Sequence, residues 1–216
     1  MKCRPIIAIL RGIKPIEAES VSEILIESGI KIIEVPLNSP SPIETLTRMV
    51  NFHTDAGIFG AGTVLNLEQV EEVHATGAKL IVSPNTNVEV IKKTKELGMI
   101  SIPGCYTATE ALMSLESGAD GLKFFPAFQM DTVGFQALSA ILPLNLKSFA
   151  VGGIDTNDFE KWLSVNITGF GLGSSLYKPG LDLIKIRKKT EEVIKVFDKV
   201  SNYKLIDIEF FKDNLA

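Results

Sequence analysis

The chain of 216 residues carries a formal net charge of −4 and a 45% hydrophobic share, which suits one soluble domain with a sizeable core. A mildly acidic chain without a Lys/Arg stripe offers nothing that displaces counterions from nucleic acid, and Lys92, Lys93 and Lys95 read as a solvated helix face. The first apolar run, residues 6–10, is far too short to span a bilayer, and Cys3, Cys105, His53 and His74 have no zinc spacing, so the expectation is a cytoplasmic protein without metal, cofactor, membrane or nucleic-acid partner.

One unit recurs along the chain: a short apolar strand, a turn rich in Gly, Pro, Ser or Asn, then an amphipathic helix. Strands are expected over residues 6–10, 32–37, 58–64, 80–84, 100–104, 121–126, 148–153 and 169–173. Between them, Pro15 and Glu17 open the first helix and Gly29 closes it. Asn66 caps the third helix, which runs to Gly77; Asn87 caps the fourth, which ends at Gly98; Thr107 caps the fifth, which ends before Gly118. The strands are continuous apolar runs rather than alternations, which points to a parallel sheet covered by helices. Eight such units predict a single-domain (β/α)8 TIM barrel over residues 1–200, with 201–216 as a C-terminal extension of the same domain. An open doubly wound sheet is the structural rival, and Leu10-Arg11-Gly12-Ile13 after the first strand lacks the dinucleotide fingerprint that would favour it.

In a barrel of this kind functional residues gather at the C-terminal ends of the strands. The charged ones there are Arg11, Glu34 and Lys123. Lys123 stands out, because its strand reads Gly121-Leu122-Lys123-Phe124-Phe125-Pro126. An ammonium in apolar surroundings either finds a carboxylate or loses its proton, and a neutral amine forms Schiff bases with carbonyl substrates. The competing reading is a buried Glu34–Lys123 ion pair with no chemistry. Thr63 and Pro84 end strands three and four at the same mouth. After strands seven and eight come Gly152-Gly153 and Gly173-Ser174, in the loops where this fold places phosphate; glycine lets backbone N–H groups approach closely.

The stretches Ile7-Ala8-Ile9-Leu10-Arg11-Gly12, Glu34-Val35-Pro36-Leu37-Asn38-Ser39-Pro40, Gly60-Ala61-Gly62-Thr63-Val64, Pro103-Gly104, Lys123-Phe124-Phe125-Pro126 and Val151-Gly152-Gly153 resemble the KDPG/KDPGal aldolase family. The resemblance runs from strand one through strand eight. It implies a class I aldolase that cleaves a 2-keto-3-deoxy-6-phospho-sugar acid to pyruvate and glyceraldehyde 3-phosphate. It implies Lys123 as Schiff-base lysine, Glu34 as general acid/base, and Arg11 and Thr63 at the pyruvate-side carboxylate and carbonyl. It further implies Pro84 and Val151 as the rest of the substrate-binding set, Gly152, Gly153, Gly173 and Ser174 at the phosphate, and a homotrimer. Within the family, Pro36-Leu37-Asn38 and Val151 resemble the galactonate type, whose gluconate counterparts carry Thr-Leu-Arg and a Thr before the Gly-Gly. A Thr hydroxyl bonds a substrate hydroxyl and Val does not. The segment Ala127-Phe128-Gln129-Met130-Asp131-Thr132 departs from the Gly and Pro that related enzymes carry there.

The remaining conspicuous residues have plainer readings. Trp162 is expected as packing, Cys105 as a buried filler, and His53 and His74 as surface positions. A phosphosugar isomerase or epimerase, shuttling protons through Glu34 and Lys123, and a non-catalytic phospho-ligand sensor stay open as rival functions.

Overall fold

The structure, a computed structural model, describes residues 2–53, 55–202 and 205–207. A short strand β1 (Lys2–Cys3) precedes the barrel strands β2 (Ile6–Ile9), β3 (Ile32–Pro36), β4 (Ile58–Gly62) and β5 (Leu80–Val82). The fifth barrel position is shared by β6 (Ile100–Ile102) and β7 (Gly104–Cys105); β8 (Leu122–Phe124), β9 (Ser148–Val151) and β10 (Gly169–Leu172) follow. Each neighbouring pair in the barrel is parallel. The sheet begins at β6 and ends at β7, two halves of one strand split by Pro103. Proline brings no N–H to a ladder, so the strand breaks there. Its carbonyl still accepts the Lys123 N–H at 2.9 Å, while the Ile102 carbonyl accepts the Ser83 N–H at 3.2 Å. The strand thereby hands its pairing from β5 to β8, and the ring closes as an eight-position TIM barrel.

The connecting helices are α1 (Ala18–Glu27), entered through a 3-10 turn at Pro15–Glu17, α2 (Pro42–Phe52), α3 (Leu67–Ala75), α4 (Val88–Glu96), α5 (Ala108–Glu116), α6 (Ala127–Ser139), α7 (Phe159–Leu163) and α8 (Leu183–Ser201). Their starts follow local chemistry. Asn66 Oδ1 accepts the Gln69 N–H, Asn87 Oδ1 accepts from Glu89 and Val90, and Thr107 exchanges bonds with Glu110 in a capping box. These are the caps expected from the sequence, and each contributes about 1 kcal/mol.

The barrel strands are buried on both faces, apart from the half-buried Ile100 at the start of β6, and their side chains alternate between two apolar regions. Ile6, Ala8, Ile33, Val35, Leu122, Phe124, Phe170 and Leu172 face outward into the layer shared with the helices. Ile7, Ile9, Ile32, Ile58, Leu80, Val82, Ile102, Phe149 and Val151 face inward and fill the barrel. Cys3 and Ile206 belong to this inner group, because β11 (Ile206–Asp207) pairs antiparallel with β1 across the barrel floor. Residues 206–207 of the expected extension therefore lie against the floor, and residues 203, 204 and 208–216 lie outside the described residues.

Two sequence expectations are adjusted. Seven of the eight barrel strands end one to two residues earlier than the apolar runs, while the fifth, broken at Pro103, runs one residue further, to Cys105. His53 is half-buried rather than a surface residue: its ring stacks on Phe59 at 5.5 Å and its Nε2 lies 2.9 Å from Ser22 Oγ. Asp131 breaks the helical geometry of α6, with φ 52° and ψ 174°. Trp162 and Cys105 are buried and His74 is exposed, as expected.

Candidate active site

Period-two alternation puts Glu34 of β3 and Lys123 of β8 on the inward face, where neighbouring positions are Ile or Phe. Both are buried, Glu34 to 2% exposure and Lys123 to 6%. Room for the carboxyl comes from Gly62 of β4, since a Cβ there would overlap the Glu34 carboxylate. No Lys123–Glu34 contact within 4.0 Å forms among the described residues, and Glu34 Oε2 is buried without a hydrogen-bond partner. The two groups sense each other without being spent on each other.

Burial governs both protonation equilibria. It pushes the Glu34 carboxyl up to about 7, against the opposing pull of Lys123 and Arg11. The same loss of hydration lowers Lys123 from its ordinary value; Glu34 opposes this and Arg11 adds to it. The Lys123 ammonium also sits 4.8 Å from the centroid of the Phe125 ring. A carboxyl near neutrality beside a lysine driven toward its free amine is an acid/base and nucleophile pair in form.

Both groups open into one cavity of about 680 Å³ at the C-terminal end of the barrel. All ten residues singled out from the sequence line it: Arg11, Glu34, Thr63, Pro84, Lys123, Val151, Gly152, Gly153, Gly173 and Ser174. Arg11, from the end of the first strand, donates from Nη1 to Asn38 Oδ1 after β3. The Gly12 N–H donates to Ser39 Oγ at 2.9 Å, so the loops after strands one and two are tied together. Thr63 adopts φ 59°, a conformation that β-branched residues avoid and that is typically held only where surroundings enforce it.

Opposite lies the glycine side. Gly152 and Gly153 both have positive φ, 95° and 74°, which a side chain would strain. A Cβ on Gly153 would also stand 2.9 Å from Phe128 Cβ. The loop after β10 is joined to this one through Ser175, whose Oγ donates to the Ile154 carbonyl at 3.0 Å.

Sequence reasoning passed over Asn38 as an Arg11 partner, and over Phe125, Asp155, Ser175, Lys178 and Lys189, which also line the cavity. Phe125 was within reach, because an inward Lys123 makes the residue two places on inward as well. Lys189 had no signal, since α8 carries Lys185, Lys188, Lys189, Lys195 and Lys199 on every side.

Comparison with known proteins agrees with this geometry. Residues 1–196 match the family described as "Aldolase: KDPG and KHG aldolase". The chain belongs to that family. It is similar to the "Probable 2-dehydro-3-deoxy-6-phosphogalactonate aldolase" of Rhizobium meliloti (strain 1021), 45% identical over 197 residues, 91% of this chain and 93% of the relative. Among solved structures, "Native KDPGal structure" superposes with a TM-score of 0.90 at 39% identity, covering 92% of this chain and 96% of that one. The KDPG aldolase of Legionella pneumophila "with pyruvate captured at low pH as a covalent carbinolamine intermediate" has a TM-score of 0.78 at 26% identity, covering 92% and 94%. This member of the family is a class I aldolase, a carbon–carbon lyase acting on a phosphorylated sugar acid. Among the described residues no helix is long and apolar enough to cross a membrane, and no group of His, Cys, Asp and Glu has metal-binding geometry.

Proposed function

We propose that the protein cleaves 2-dehydro-3-deoxy-6-phosphogalactonate to pyruvate and D-glyceraldehyde 3-phosphate. One observation carries the reading: Lys123 and Glu34 are buried at the same mouth, both driven toward neutrality, with no ion pair between them. The bland alternative, a buried ion pair, needs the contact that is missing.

In the proposed reaction the free amine of Lys123 attacks the C2 ketone, and Glu34 gives the proton that lets the carbinolamine lose water. The resulting iminium withdraws electrons from the C3–C4 bond. Glu34, now a carboxylate, takes the C4 hydroxyl proton; the bond breaks, its electrons form the enamine of pyruvate, and glyceraldehyde 3-phosphate leaves. Protonation of the enamine at C3 and hydrolysis of the iminium release pyruvate and restore Lys123. A group near pKa 7 serves as donor and acceptor in one cycle. Arg11, steadied by Asn38, holds the substrate carboxylate, and Thr63 bonds on the same side. Pro84 and Val151 shape the middle of the cavity, and Gly152, Gly153, Gly173 and Ser174 receive the phosphate.

The named relatives support the galactonate epimer, and Val151 supplies a physical reason, since it offers the substrate no hydrogen bond. Measuring kcat/KM for pyruvate release from the galactonate and gluconate substrates tests this. A higher value for galactonate is expected, with Val151→Thr narrowing the ratio; a gluconate preference in the wild type removes the assignment. Release of an isomer without pyruvate removes the aldolase reading itself.

The assembly in this reading is a homotrimer in the cytoplasm. Phe128 and Val133 on α6 are exposed large apolar residues suited to a subunit contact, and the buried free thiols of Cys3 and Cys105 suit a reducing compartment. Sedimentation at a monomer mass would remove the trimer.

A further inference from the structure

The glycine side of the cavity carries two lysines that the proposed reaction leaves unused, Lys178 and Lys189. Lys189 rises from α8 and is half-buried. Its ammonium donates one hydrogen bond, 2.8 Å, to the Ser175 carbonyl. Ser175 follows Gly173-Ser174, and its own hydroxyl is bonded to Ile154, which follows Gly152-Gly153. The ammonium is thereby fixed beside both glycine loops, with two N–H groups left to give. Among the described residues no carboxylate forms an ion pair with Lys178 or Lys189. Asp155 also lines the cavity, but its Oδ1 accepts the Asn157 N–H at 2.8 Å and caps the following turn.

Lys178 differs in being exposed, while its backbone is held firmly. The Leu176 and Tyr177 N–H groups both donate to the Gly173 carbonyl at 2.9 Å, and Tyr177 is buried with its hydroxyl 3.4 Å from Glu17 Oε1. Next in sequence, Pro179 packs so closely on Gly12 that a Cβ there would stand 2.6 Å from Pro179 Cγ.

Charge makes the pair informative. A chain of net charge −4 places Arg11, Lys123, Lys178 and Lys189 around one cavity against only Glu34 and Asp155. Arg11 and Lys123 serve the keto-acid end. Backbone amides offer a dianionic group only partial charges, whereas hydrogen bonds from an ammonium are about twice as strong. We infer that Lys189 is the fixed cation of the phosphate end and Lys178 its solvent-facing companion, and that together they select a phosphorylated aldehyde over the unphosphorylated one. This rests on the reading that the glycine loops receive phosphate.

The test is condensation of pyruvate with D-glyceraldehyde 3-phosphate and, separately, with D-glyceraldehyde, taking the ratio of the two kcat/KM values. Lys189→Met is expected to lower the ratio about 10- to 100-fold, with Lys189→Arg restoring most of it. Because Lys189 also holds the Ser175 carbonyl, Lys189→Gln is the second variant, keeping a donor while removing the charge. The ratio should fall for Gln as it does for Met; a loss confined to Met would make the residue structural and overturn the inference. Lys178→Met should lower the ratio about 2- to 5-fold at low salt, an effect that fades at high ionic strength. A wild type with no preference for the phosphorylated aldehyde overturns the phosphate reading. A preferring wild type whose lysine variants keep the same ratio overturns only the assignment of the lysines.

Discussion

The two ends of the barrel are built from the same strands by the same alternation, yet one is a plug and the other a cavity. At the floor the inward positions are Ile7, Ile32, Ile58, Leu80 and Phe149, sealed by Cys3 and Ile206. At the mouth the inward positions become Glu34, Gly62, Lys123, Val151 and Gly171. Glycine removes side-chain volume where the floor adds it, and the space so released takes a carboxyl beside Gly62 and a valine beside Gly171, whose Cβ would stand 2.7 Å from Val151 Cγ2. The floor provides the apolar burial; the mouth uses that burial to keep two ionisable groups from water. Dense packing below is what holds the two ionisable groups above out of water.

This contrast predicts that changes at the mouth strike activity and changes at the floor strike stability. The largest effect is expected for Lys123→Ala, with kcat falling about 10⁴-fold or more in a pyruvate-release assay while the fold persists. Next, Glu34→Gln should lower kcat about 10²- to 10⁴-fold. Its pH signature is specific. Glu34 is raised from 4.5 to about 7 in the folded state, so the fold binds its proton more tightly than the unfolded chain does. That contribution is fully present below pH 4.5 and is lost as pH rises through about 7, a change of about 3 kcal/mol. Glu34→Gln should therefore gain stability relative to wild type between pH 5 and pH 8, read by denaturant unfolding, and the fall of kcat/KM on the alkaline side of pH 7, where the free enzyme's Glu34 loses its proton, should vanish with it. A stability difference that does not change with pH would contradict the burial argument.

At the floor, Ile32→Ala should cost about 2–5 kcal/mol of stability, with kcat per folded molecule maintained. Gly62→Ala sits between the two ends: its methyl meets the Glu34 carboxylate, so unfolding should become easier by about 1–3 kcal/mol and turnover should fall together with it. The smallest effect lies outside both. Asp131 holds a backbone conformation that side chains rarely adopt, so Asp131→Gly should raise stability by about 1 kcal/mol, seen as a Tm about 2–4 °C higher.

What the sequence disclosed follows from how local each determinant is. Asn66, Asn87 and Thr107 cap their helices through residues two or three places on, so their caps were legible. Glu34 and Lys123 were legible because a charge within an apolar strand needs an explanation. Strand ends were overrun, since apolar residues such as Leu10 and Leu37 follow the last strand residue, their N–H groups still donating to the Glu34 and Gly62 carbonyls while their side chains pack outward. Asn38 and Lys189 take their meaning from partners 27 and 14 residues away, through contacts only the closed barrel creates. The glycines at 62 and 171 were visible, but the side chains they make room for were not. Residues 127–132 stand out in the sequence for lacking Gly and Pro, but the positive φ of Asp131 within them is visible only in three dimensions.

The central claim is that burial at the mouth turns Lys123 into a nucleophile. It is tested most directly by trapping with pyruvate and borohydride across a pH series, locating the reduced adduct by peptide mapping. The account predicts an adduct on Lys123 alone, with a trapping rate that reaches its plateau well below the ordinary lysine value of 10.5. An adduct on another lysine, or a profile that rises only toward 10.5, would contradict it.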